Sequence, residues 1–128
     1  MKEIWLNNLE LKTFTEQDVL DYCQINNINS DDITELWLNN NKLTDISRIK
    51  IFKNLIDLNI SYNKIKNISV LSNFKNIDYL NISFLKLESD QIEYIKNLEK
   101  LKYLKCLKAF KESSVLKNLR SIEKIHTA

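Results

Sequence analysis

Ile33-Thr34-Glu35-Leu36-Trp37-Leu38-Asn39-Asn40-Asn41-Lys42-Leu43 lines up, 22 residues later, with Leu55-Ile56-Asp57-Leu58-Asn59-Ile60-Ser61-Tyr62-Asn63-Lys64-Ile65. A third copy reads Ile77-Asp78-Tyr79-Leu80-Asn81-Ile82-Ser83-Phe84-Leu85-Lys86-Leu87. Copies begin at positions 33, 55, 77, 101 and 122, and each carries apolar residues at its first and fourth places. A fixed period of this length marks a stacked repeat, in which one unit cannot bury its apolar face alone and its neighbours complete the core. Leu36 and Leu38, Leu58 and Ile60, and Leu80 and Ile82 alternate with polar or aromatic residues, so each pair points one way from a short strand. All copies enter in the same sense, which stacks the strands in parallel.

The consensus L-x-x-L-x-L-x-x-N-x-L of the leucine-rich-repeat family is matched by residues 33–43 and 55–65 at every defined place, with Ile standing for Leu. The tails Asp45-Ile46-Ser47-Arg48-Ile49 and Asn67-Ile68-Ser69-Val70-Leu71 resemble the 22-residue class seen in internalins and phosphatase regulatory subunits. This resemblance covers most of residues 1–125 and is strongest in the middle. It implies an α/β leucine-rich-repeat solenoid, with a concave parallel sheet of five or six short strands and a convex side of helices and irregular turns. Residues 1–128 then form one domain, with repeat starts near 1, 33, 55, 77, 101 and 122. In the family, the amide at the places of Asn41 and Asn63 satisfies backbone groups of neighbouring turns. Leu9 and Leu85 replace it, so the ladder is expected to be interrupted there.

Two stretches depart from the short form. After a first strand within residues 1–11, Thr15 and the acids Glu16 and Asp18 open a helical pattern expected over residues 16–26. Ser89-Asp90-Gln91-Ile92-Glu93 opens a second, with Ile92, Ile95 and Leu98 on one face and Asp90 and Glu93 at capping-box spacing. Residues 107–121 are read as helical turns leading to a last edge at Ile122–Ile125. With no glycine and no proline, asparagine is expected to supply the tight corners.

Several function classes are closed. Without glycine there is neither a phosphate loop nor a dinucleotide fingerprint. His126, the only histidine, is expected in a frayed tail, which leaves no Cys-His or Ser-His pair. Asp31 and Asp32 read as solvated turn acids, so no metal, no cofactor and no enzymatic activity are expected. Cys23 and Cys106 fit no paired motif and read as buried thiols. The lysines at 96, 100, 102, 105, 108 and 111 alternate with Glu99 and Glu112 and read as a solvated face rather than a nucleic-acid patch. The sequons at Asn59, Asn67 and Asn81 follow from the repeat itself. No apolar run of about 18 residues crosses a bilayer, and Met1-Lys2-Glu3-Ile4-Trp5 is no signal sequence, so a cytoplasmic location is expected.

The third, fifth, seventh and eighth places of each copy are left for the concave side. Expected partner-binding residues there are Glu3, Trp5, Glu35, Trp37, Asn39, Asp57, Asn59, Tyr62, Tyr79, Asn81, Phe84, Tyr103 and Lys105. Both tryptophans share the fifth place; the competing reading puts them in the core, but alternation sets them opposite Leu6 and Leu38. An exposed aromatic strip flanked by Glu3, Glu35 and Asp57 suits a protein partner offering basic and apolar groups. The alternative function is a structural fragment that forms homo-oligomers through uncapped edge strands near Leu9, Leu11 and Ile122. Residues 1–64 carry a net charge of −3 and residues 65–128 of +5, so the chain is electrically polar along its length.

Overall fold

The computed structural model describes residues 2–127; the start of the first repeat at Met1 lies outside them. Six strands form one sheet in sequence order, every neighbouring pair parallel: β1 (Lys2–Trp5), β2 (Ile33–Trp37), β3 (Asp57–Asn59), β4 (Tyr79–Asn81), β5 (Tyr103–Cys106) and β6 (Lys124–Thr127). Equivalent places of successive copies pair directly: Leu36 lies beside Leu58, Leu58 beside Leu80, and Leu80 beside Leu104. The apolar places therefore stack into a continuous core in which Leu36, Leu38, Leu58, Ile60, Leu80 and Ile82 are fully buried. Cys23 and Cys106 are buried in the same core.

The convex side differs from one copy to the next. Helix α1 (Glu16–Ile25) is capped as its sequence demands: the Thr15 hydroxyl accepts from the Asp18 N–H, and the Asp18 carboxylate accepts from the Thr15 N–H. The stretch opened by Ser89 is instead a 3₁₀ turn, Ser89–Ile95, and its N-cap, Glu88, makes no side-chain capping bond. This corrects the expected capping box. Turns of the same kind, Ser47–Ile51 and Ser69–Asn73, occupy the same place in the two preceding copies, and a 3₁₀ turn covers more distance per residue than an α-helix. Gln91 ties the longer copy to its neighbour by accepting from the Ile68 N–H at 2.9 Å. A short helix α2 (Ser114–Lys117) leads into β6.

The asparagine ladder works one copy backwards. Asn63 donates to the carbonyls of Leu38 and Ile60 and accepts from the Leu43 N–H. Asn41 donates to the carbonyls of Leu6 and Leu38 and accepts from both Leu9 and Leu11. Each carboxamide serves the turn before its own, so the turn at Leu9 is satisfied by Asn41 and is not interrupted. Leu85 joins the core instead.

Candidate functional site

Two columns of side chains run across the open face of the sheet. Pairing sets Glu3, Glu35, Asp57, Tyr79, Tyr103 and Lys124 side by side in one, and Trp5, Trp37, Asn59, Asn81, Lys105 and His126 in the other. At the β1–β2 end the two indoles stack with centroids 5.0 Å apart and planes 14° from parallel. Trp5 is 55% exposed and Trp37 half-buried, so neither is a core residue. Each indole is held by the acid two residues before it: Trp5 Nε1 donates to Glu3 at 3.0 Å, and Trp37 Nε1 to Glu35 at 2.5 Å. Those bonds fix the ring planes and leave the outer faces of the stack and the remaining carboxylate oxygens for a ligand.

The acids of this corner crowd one another. Partial burial, then the neighbouring Asp78 carboxylate and its hydrogen bond, then Glu35, push Asp57 up to about 6. A cation brought to the corner relieves that repulsion.

A third feature lies at the eighth place, where the chain leaves the strand. Asn8, Asn40, Tyr62 and Phe84 all take positive φ, between 54° and 60°. The geometry belongs to the repeat: from it, the N–H groups of Asn8, Asn40 and Tyr62 donate to the carbonyls of Asn39, Ser61 and Ser83 in the next copy. Asparagine tolerates this region, whereas a bulky aromatic there is an outlier. The expectation that asparagine supplies the corners thus holds at Asn8, Asn27 and Asn40 but fails at Glu10, Tyr62 and Phe84. Tyr62 and Phe84 are about half exposed and stack at 4.2 Å.

Asn59 and Asn81 do not belong to an open surface. Each is more than nine-tenths buried, and its Oδ1 accepts from both the N–H and the hydroxyl of the serine two residues on, Ser61 or Ser83. Flanked by larger neighbours, these short amides sit below the rim and act as backbone supports. Asn39 is half-buried, and its Oδ1 has no partner among the described residues.

His126, expected in a frayed tail, lies in β6 opposite Lys105. With Lys124 it extends the open face by one strand beyond Tyr103 and Lys105. The signal was present, because counting from the copy that begins at Ile122 puts Lys124 and His126 at the third and fifth places. Tyr103 hydrogen-bonds Glu123, whose carboxylate pushes the phenol above its ordinary range. Among the described residues no group of three or more His, Cys, Asp or Glu side chains is placed to hold a metal ion.

Solved structures share this arrangement. An internalin (inlF) from Listeria monocytogenes superposes with a TM-score of 0.68 over 77% of this chain and 29% of its own, at 25% identity. The fold is a leucine-rich-repeat solenoid. An internalin C2 (inlC2) from the same organism shares the leucine-rich-repeat fold at a TM-score of 0.56, 22% identity, and coverage of 75% of this chain and 62% of its own. The leucine-rich-repeat chain thus spans less than two-thirds of the length of either internalin. No protein-family model and no curated protein matches the sequence. No helix among the described residues is long and apolar enough to cross a membrane.

Proposed function

We propose that the chain is a protein-binding module, an adaptor or subunit inside the cell without catalytic activity of its own. Its concave sheet takes a partner that offers basic and apolar groups. The observation that carries this is the Trp5–Trp37 stack, open to solvent and locked by Glu3 and Glu35. A lysine or arginine over an indole face gains from the ring quadrupole, and carboxylates beside the ring reinforce it. Asp57 extends the acidic edge, and the Tyr62–Phe84 stack supplies an apolar ridge where the chain leaves β3 and β4. Aromatic side chains of this kind dominate binding energy where they are central to an interface.

Site-specific photo-crosslinking tests this. A photoreactive amino acid replacing Tyr62 should yield a discrete adduct in cells expressing the chain, and the same group at Lys50 on the convex turn should not. Equal adducts from both positions would contradict the concave reading.

A second reading is self-association through exposed strand edges. It is favoured by Leu9, which is 53% exposed beside β1, and by the partly exposed Ile122 and Ile125 at β6.

A further inference from the structure

At the far end of the concave face from the tryptophans, Tyr79, Tyr103, Leu104, Lys105, Lys124 and His126 line an open cavity of about 440 Å³. The groups come from three adjacent strands, β4, β5 and β6, and no carboxylate lines the cavity. Tyr79 is half-buried and Tyr103 is 42% exposed, while Leu104, between Tyr103 and Lys105, turns its side chain to the core. Two ammonium groups and an imidazole around tyrosine rings form a site for an anion carried on an apolar stem.

We infer that this cavity is a second recognition site, which receives a carboxylate side chain of the same partner polypeptide. The inference rests on the concave face being the binding surface. A carboxylate fits better than a phosphate for two reasons. No arginine lines the cavity to clamp a phosphate in two-point fashion. The charge available is also small, because the Glu123 carboxylate bound to Tyr103 offsets part of that of Lys105 and Lys124.

The concave face then has a polarity: acids and indoles at β1–β2, bases at β5–β6. From the Trp37 strand to the Lys105 strand are three strand spacings, about 14 Å in all. An extended peptide covers that distance in about four residues. The partner segment therefore carries a cationic side chain and an acidic one about four residues apart, and the face fixes which way it runs.

Nuclear magnetic resonance titration of the whole chain tests both sites separately, with phenylacetate, phenyl phosphate and benzylammonium as probes. Phenylacetate should give saturable shifts of the Lys105, Lys124 and His126 amides, and benzylammonium should move the Trp5 and Trp37 indole N–H signals instead. Lys124→Glu should weaken phenylacetate by about tenfold or more, Lys124→Arg should preserve it, and both should leave the benzylammonium response unchanged. Phenylacetate shifts that do not saturate, or that spread equally over Lys96, Lys100 and Lys111, overturn the site. Tighter binding of phenyl phosphate than of phenylacetate overturns the carboxylate assignment. Failure of benzylammonium alone counts against the tryptophan corner, not against this cavity.

Discussion

Tyr62 lies flat on Phe84, ring centroids 4.2 Å apart, although both residues take left-handed backbone angles that asparagine holds at the equivalent Asn8 and Asn40. Left-handed geometry costs a residue with a Cβ about 1–2 kcal/mol. A stacked aromatic pair returns only about 0.5–1.5 kcal/mol beyond its buried area. Both residues bear that cost, about 2–4 kcal/mol together, and one stack does not offset it, so folding alone does not explain aromatics at these corners, and a strained residue at an exposed place points to use.

Tyr62→Asn should therefore leave stability within about 1 kcal/mol of wild type, despite the loss of a ring, while weakening the partner. Denaturant melts and a binding titration check this. A loss well above that range would show that the stack holds the fold together.

Leu58 and Asn59 are neighbours with different duties. Leu58→Ala removes a fully buried side chain and should cost about 2–5 kcal/mol. Alternation alone places Asn59 on the open face, where its loss would be nearly silent. Its burial, and its two bonds from Ser61, change that: Asn59→Ala strips a buried N–H and a hydroxyl of their acceptor and should cost about 1–3 kcal/mol. Equilibrium unfolding of both variants decides it.

Asp57 gives the fold a pH signature. Its folded value of about 6 is above the unfolded carboxylate value of about 3.9, so the folded state holds the extra proton between the two. The contribution to stability is fully present below the unfolded value and is lost as pH rises through about 6. Asp57→Asn should then raise Tm at pH 7.5, with the gain shrinking towards pH 4. A gain that is the same at both pH values would exclude Asp57 as its source.

Self-association makes a different demand. If exposed edges pair, wild type should show a concentration-dependent dimer in sedimentation, and Leu9→Lys or Ile122→Lys should return it to monomer, whereas Trp37→Ala should not. A monomeric wild type counts against that reading.

The period-2 alternation and the 22-residue repeat made the sheet, its register and its core legible, because burial of Leu36, Leu58 and Leu80 depends on spacing alone. The expectations that failed involved properties that spacing does not carry. Whether Asn59 is open depends on the size of the side chains around it. Whether the turn at Ser89 is α or 3₁₀ depends on what it stacks against, and the strain at Tyr62 is set by a hydrogen bond to the next copy. Lys124 and His126 were hidden by distance from the clearest copies.

Trp5 and Trp37 are the only tryptophans, and the binding reading depends on their being a surface feature. The direct test is calorimetric titration of the photo-crosslinked partner into wild type and Trp37→Ala, with thermal unfolding of both. The expected result is binding weaker by about 2 kcal/mol or more with Tm nearly unchanged. Equal affinity, or a variant that no longer folds, would contradict it.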